Sequence, residues 1–256
     1  MSEAEQDKQP REPGAGEPAG LLRATVVLTA VALIAFLGGT ALYVHLGGGM
    51  VNALDEELGE ILMQRGMRFE KAGQLENAKA TYREALECTF TGPQNRADTL
   101  KHLGVLYWNE HEYAKALPLL REAVSFDPPP MSAFEPLADC LYQLGRFEAA
   151  ETLLDRWQRR AGDLGHAGQI ARAKYYEGMI ALEHGATQDA IEAFRAGVEH
   201  VPGGRNASQL GVLYYEASQY DKALTYIDQY LETGTGNRAQ YMRQLRKRAL
   251  ERRAAP

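Results

Sequence analysis

Apolar side chains recur at spacings of three and four residues along most of the chain, and short polar stretches interrupt them. From Leu100 to Tyr107 they lie on one helical face, residues 109–112 are polar, and a second apolar face runs from Tyr113 to Val124. This pattern predicts two short helices joined by a tight turn. Because neither helix can bury its apolar face alone, such a pair needs neighbours of the same kind.

The pair does recur along the chain. A small residue is followed twelve positions later by alanine five times, at Gly66/Ala78, Gly104/Ala116, Ala138/Ala150, Gly178/Ala190 and Gly211/Ala223. The steps between successive pairs are, by subtraction, 38, 34, 40 and 33 residues. This arrangement resembles the tetratricopeptide repeat family, whose unit is a helix–turn–helix of about 34 residues.

The resemblance implies an all-α solenoid of about five repeats over residues 52–235. The repeats are expected near residues 55–91, 97–130, 131–160, 169–203 and 204–235. The two longer steps predict surface loops inserted near residues 89–95 and 161–169. Residues 236–256 combine one apolar side with many bases, which predicts a basic helix that caps the open end of the solenoid.

The N-terminal part has a different composition. Residues 1–22 are acidic and rich in Pro and Gly, which predicts a disordered tail. Residues 24–46 contain no Asp, Glu, Lys or Arg, and a helix of that length, about 35 Å, exceeds the roughly 30 Å of a bilayer core. We therefore expect an uncleaved transmembrane signal anchor at residues 23–46, followed by a flexible glycine-rich joint at residues 47–51.

Basic residues predict the orientation of this span. Lys8, Arg11 and Arg23 precede it, and the next base after it is Arg65. The excess of Lys and Arg marks the cytoplasmic side, so the tail is expected in the cytoplasm and the repeats in the periplasm of a bacterium. The same layout in a eukaryote is that of an outer mitochondrial anchor with cytosolic repeats, and the sequence leaves both open.

Candidate chemistry is sparse. The six histidines form no H-x-x-x-H pair, and the sequence contains no G-x-S-x-G, phosphate-binding glycine loop or C-x-x-C. Cys88 and Cys140 fit no zinc or redox spacing, and two buried thiols are the favoured interpretation. A Cys88–Cys140 disulfide is the alternative outside the cytoplasm, but a solenoid would hold the first and third repeats too far apart to favour it. The sequence thus predicts neither an enzyme nor a cofactor or metal site.

Protein binding is the function that the resemblance implies, because the first helix of each tetratricopeptide repeat lines a concave groove. Carrying the family's inward positions over also brings Glu135 and Leu182 to this surface. The predicted partner-binding residues are Lys101, Trp108, Asn109, Asp139, Tyr142, Arg172, Tyr175, Met179 and Tyr215. One family subtype grips a terminal carboxylate with Lys, Asn and Arg, but Val105 stands where that subtype has Asn.

We therefore expect a membrane-anchored scaffold or adaptor that binds peptides or helices of a protein partner and assists assembly or recruitment of a membrane or envelope complex. Two alternatives remain at this point. One is a structural oligomer of stacked repeats, and the other is a binder of anionic lipid or nucleic acid that uses the basic C-terminal helix. The net charge of −6 does not favour nucleic acid as a partner.

Overall fold

The computed structural model describes residues 48–254, with side chains from residue 56 onward. The described part consists of α-helices with one short 3-10 turn at Met131–Ala133, as the all-α prediction requires. The helices are α1 (Gly48–Lys71), α2 (Leu75–Glu87), α3 (Pro93–Asn109), α4 (Tyr113–Ala123), α5 (Phe134–Gln143), α6 (Phe147–Asp163), α7 (Ala167–Glu183), α8 (Thr187–His200), α9 (Arg205–Glu216), α10 (Tyr220–Thr233) and α11 (Gly236–Ala254). The predicted span at residues 23–46 lies outside the described residues. Within 48–254, no helix is both long enough and apolar enough to cross a membrane.

The helices follow one another as five antiparallel pairs with α11 at the end. We call the first helix of each pair (α1, α3, α5, α7, α9) an A helix and the second (α2, α4, α6, α8, α10) a B helix. Each pair packs against the next, and α11 packs against α10. This succession confirms the tetratricopeptide-type solenoid.

Each A helix ends in the same left-handed turn. Its residues with positive φ are Gly73, His111, Gly145, Gly185 and Ser218, each seven positions after the small residue of its repeat. In every turn an amide closes a six-residue bond to the A helix, as from Arg146 N to Leu141 O at 2.8 Å. Glycine suits this backbone because it lacks a Cβ, and His111 and Ser218 adopt it at a cost.

The small residue of each repeat is required by the B helix that crosses it. A Cβ on Gly178 would lie 2.5 Å from Phe194, and one on Gly104 would lie 2.7 Å from Leu120. The contacting side chain is sixteen positions further on in both cases, and Gly66 meets Tyr82 in the same way. The regular small-residue spacing in the sequence therefore reflects the crossing point of each helix pair.

Buried side chains form two hydrophobic cores along the array. The first extends from Ala78 to Ile180 and the second from Ala190 to Leu245. Tyr175 on α7 is partly buried and packs against both. The seam between the two cores therefore lies between α7 and α8.

Two predicted connections are instead helical. Helix α1 begins at Gly48, so residues 48–51 are not the flexible joint that their glycines suggested. A helix already stabilised by packing further along gains a hydrogen bond for each added residue, which outweighs a cost of about 1 kcal/mol per glycine. The loop predicted at 161–169 is likewise mostly helix, since α6 ends at Asp163 and α7 begins at Ala167, with Ala161 fully buried.

Candidate partner-binding groove

The predicted binding residues all lie on A helices. They are Lys101, Trp108 and Asn109 on α3, Asp139 and Tyr142 on α5, Arg172, Tyr175 and Met179 on α7, and Tyr215 on α9. Because A helices occupy equivalent positions in successive repeats, these residues share one side of the solenoid.

One set of equivalent side chains runs along this side, four positions after the small residue of each of the second to fifth repeats. We call it the apolar row, and its members are Trp108, Tyr142, Leu182 and Tyr215. All four are partly buried, so each keeps some surface for a ligand while packing against its neighbours. Half-buried aromatic side chains of this kind are the usual anchors of protein interfaces.

The spacing of the apolar row is regular. Trp108 follows Gly104, and Tyr215 follows Gly211, by four positions, and Tyr142 and Leu182 stand in the same relation to the small residues of their own repeats. Four residues are about one helical turn, so each member lies one turn beyond the point where its A and B helices cross.

Polar contacts between repeats fix two members of the row. The indole N–H of Trp108 donates to the Asp139 carboxylate at 2.6 Å, and the Tyr142 hydroxyl donates to Glu183 at 2.6 Å. Burial, together with the hydrogen bond to Glu183, raises the pKa of Tyr142, so this hydroxyl stays a donor at neutral pH. The groove surface is thus held in place before any partner binds.

A second group of side chains lies at the start of the later A helices. Glu135 on α5 forms an ion pair with Arg172 on α7 at 3.2 Å and accepts a hydrogen bond from Arg205 on α9 at 3.1 Å, with one arginine on each carboxylate oxygen. We call these three residues the bridging cluster. The Arg205 guanidinium also lies over the Tyr175 ring, 5.6 Å from its centroid. One carboxylate therefore links the third, fourth and fifth repeats.

The bridging cluster and Tyr175 line a cavity of about 290 Å³. The rest of its wall is formed by Gly168, Ala171, Val201, Gly204 and Asn206. The Asn206 side chain is buried, and its amide donates to the Ala171 carbonyl at 2.8 Å, which holds α9 against α7. A volume of this size accommodates a side chain of a bound segment rather than a whole cofactor.

Three of the other predicted residues, Lys101, Met179 and Asn109, join neither group. Lys101 pairs with Asp98 on its own helix at 2.7 Å, and Met179 accepts from Gln209 on α9 at 3.2 Å. Asn109 is exposed at the end of α3, whereas Tyr215 belongs to the apolar row and its ring lies 5.7 Å from that of Tyr220. The structure thus gathers Trp108 with Asp139 and Arg172 with Tyr175, and spaces the others along the same side.

The sequence did not predict two further residues: Arg205, which belongs to the bridging cluster, and Glu183, which accepts the hydrogen bond of Tyr142. Arg205 had a signal, because it precedes Gly211 by six positions just as Arg172 precedes Gly178. No sequence pattern indicated Glu183, because its contact with Tyr142 joins helices of different repeats.

The basic C-terminal helix α11 buries Ala239, Met242, Leu245 and Ala249. Two of its bases pair with carboxylates of α10: Arg246 with Asp228 at 2.6 Å, and Arg253 with Asp221 at 3.4 Å. These contacts tie α11 to the last repeat, which is what a terminal cap requires.

Metal-ligating side chains do not cluster in the part of the chain with described side chains, where no group of three or more His, Cys, Asp or Glu is arranged to hold an ion. Burial raises the pKa of the Cys140 thiol to about 12, so it is protonated at neutral pH.

Comparison with protein families supports the tetratricopeptide repeat resemblance. Residues 59–88 and residues 107–175 each match a family model described as tetratricopeptide repeat. No curated protein matches the sequence.

Solved structures with a similar fold include PilF of Pseudomonas aeruginosa, with 22% identity over 76% of this chain and 90% of that chain and a TM-score of 0.58. MamA is similar with 25% identity, 69% and 91% coverage and a TM-score of 0.55. YrrB, described as a tetratricopeptide repeat protein with an unusual peptide-binding site, is 22% identical with 74% and 90% coverage and a TM-score of 0.52. These likenesses show that the chain has the fold of a tetratricopeptide repeat solenoid.

Proposed function

We propose that this protein is a membrane-anchored scaffold that binds a peptide or helix of a partner protein along its A-helix side. The observation that carries the proposal is the apolar row, a line of partly buried side chains over four successive repeats. The polar contacts of Trp108 and Tyr142 hold these anchors in place, so a partner binds without ordering them first.

The anchor is part of the same proposal. The uncharged residues 24–46 would hold the repeats at a bilayer, with the tail in the cytoplasm and the repeats in the periplasm. Confinement to a membrane raises the effective concentration of a partner in the same membrane, so a groove of modest affinity suffices. The expected role is assembly or recruitment of a membrane or envelope complex.

The test is partner capture by the detergent-solubilised full chain. Trp108→Ala combined with Tyr142→Ala should reduce capture of the co-purifying partner by about 30-fold or more, because removing two interface anchors costs over 2 kcal/mol. Tyr215→Ala, which removes a ring that packs edge-on against Tyr220 of its own repeat, should also reduce capture. Helical circular dichroism should be unchanged.

The matched control is Tyr241→Ala, which removes an exposed aromatic ring from α11. Charge reversal at Arg243, Lys247 and Arg248 tests the basic helix directly and should leave capture intact. Capture that survives the groove variants, or that is lost on charge reversal, would refute the groove assignment.

A further inference from the structure

The cavity beside Tyr175 has an uneven charge. Its charged side chains are the two arginines and the single glutamate of the bridging cluster. Gly204 and Arg205 place the N-terminus of α9 at the same wall, and no side chain caps that terminus. A helix N-terminus carries a partial positive charge, so the lining is positive overall.

The exposure of these groups shows which of them remain available. The Glu135 side chain is only 15% exposed, and each of its oxygens already pairs with an arginine. The side chains of Arg172 and Arg205 are 54% and 60% exposed. Each guanidinium has five N–H donors, so each keeps donors for a ligand after its bond to Glu135.

We propose that this cavity receives an acidic side chain of the partner segment, and that Glu135 occupies the anion position between the two arginines until the partner binds. This inference rests on the proposed function, because it specifies the chemistry of a partner bound along the A-helix side. A basic side chain fits less well, since it would meet two exposed arginines and a carboxylate that is already shared.

The role of Glu135 follows from charge. In the free protein its carboxylate keeps the two guanidinium groups in one place, although like charges repel. An incoming carboxylate binds the same two groups and is repelled by Glu135. Neutralising Glu135 should therefore strengthen the binding of an acidic ligand. If Glu135 only supported the fold, its neutralisation would weaken that binding or leave it unchanged.

The Tyr175 ring adds an apolar surface beside the arginines. Arg205 stacks over one part of this ring, and the ring also packs against both hydrophobic cores. The segment that fits has an acidic residue next to an apolar one, so that the carboxylate reaches the arginines while its neighbour contacts Tyr175.

The experiment uses two blocked nonapeptides that differ only at the central residue, glutamate or glutamine, with leucine on one side and tyrosine on the other. Their binding to the full chain in detergent is measured by fluorescence anisotropy at constant ionic strength. The glutamate peptide should bind about tenfold more tightly, as expected for one charge-assisted contact. Glu135→Gln should tighten its binding further, and Arg172→Gln with Arg205→Gln should remove the difference between the peptides.

The control is Glu199→Gln, which neutralises an exposed carboxylate on α8 outside the cavity and should leave both affinities unchanged. Equal binding of the two peptides to the wild-type chain, or weaker binding of the glutamate peptide to Glu135→Gln, would overturn the inference. Failure of both peptides to bind would also overturn it. None of these three results would alter the capture of the native partner through the apolar row, so the two proposals fail separately.

Discussion

The indole N–H of Trp108 and the carboxylate of Asp139 are joined by a hydrogen bond of 2.6 Å that links the second repeat to the third. A hydrogen bond to a charged group contributes about 1.5–3 kcal/mol, and here it also sets the orientation of an aromatic anchor. We therefore expect a coupling free energy of about 1–2 kcal/mol in a double-mutant cycle of Trp108→Phe and Asp139→Ala.

Urea unfolding of the wild type, both single variants and the double variant measures this coupling. Additive losses in the free energy of unfolding would mean that the two side chains are neighbours without a stabilising bond.

The crossing point of the fourth helix pair predicts opposite effects of the same substitution at two glycines of α7. Gly178→Ala would place a methyl group 2.5 Å from the Phe194 ring and should lower the free energy of unfolding by about 1–3 kcal/mol. Gly168→Ala meets nothing within 4 Å and should be neutral or stabilising by up to about 1 kcal/mol. Thermal or urea unfolding compares the two variants, and a similar loss at both positions would contradict the close approach at Gly178.

The left-handed turns predict a stabilising substitution. Ser218 has a φ of 61° where three other repeats have glycine. Ser218→Gly should raise the free energy of unfolding by about 0.5–1 kcal/mol, and Gly145→Ala should lower it by about 1 kcal/mol, because a Cβ disfavours this backbone. Both values come from urea unfolding, and destabilisation by Ser218→Gly would mean that its side chain matters more than its backbone.

The imidazole of His102 predicts a loss of stability in mild acid. Its Nδ1 lies 3.0 Å from Glu70, and the ring stacks on Tyr82. Burial, followed by the charge of Lys101, lowers the pKa of His102 below its ordinary value of 6.5, although Glu70 and Asp98 act in the opposite direction. The unfolded chain thus takes up this proton at a higher pH than the folded chain does.

The free energy of unfolding should therefore fall as the pH drops from about 6.5 towards the lower pKa of the folded state, by at most about 1.4 kcal/mol per pH unit from this group. His102→Gln should flatten the profile, and replacement of the exposed His200 by glutamine should not. Urea unfolding at several pH values provides the measurement. An unchanged profile in His102→Gln would assign the acid sensitivity to other groups.

The bases before the predicted span give a prediction about orientation. A reporter enzyme that is active only in the periplasm, fused after Pro256, should be active in a bacterial host, and a reporter active only in the cytoplasm should not. Replacing Lys8, Arg11 and Arg23 by glutamine should reduce this preference. Cytoplasmic activity of the wild-type fusion would overturn the proposed localisation.

The repeat could be predicted from the sequence because its signal is local and periodic. Gly104 and Leu120 belong to one helix pair, so their contact is the same as that of Gly178 and Phe194 and repeats with the motif. Helix ends were harder to predict, because Gly48 favours a loop by itself but lies in a helix stabilised by residues further along.

The predicted binding residues were placed on A helices by the resemblance, but their contacts were not foreseen. Glu135 and Arg205 are 70 positions apart, and only the stacking of three repeats brings them together. Spacing within one repeat carries no information about such a contact. The same limit applies to Tyr142 and Glu183, which are 41 positions apart.

The position of Tyr175 connects the cavity to both hydrophobic cores. The array has two separate cores, and this one ring contacts both at the seam between α7 and α8. Because the same ring lines the cavity, a ligand that displaced it would disturb the packing of both cores, which favours a cavity wall of fixed shape.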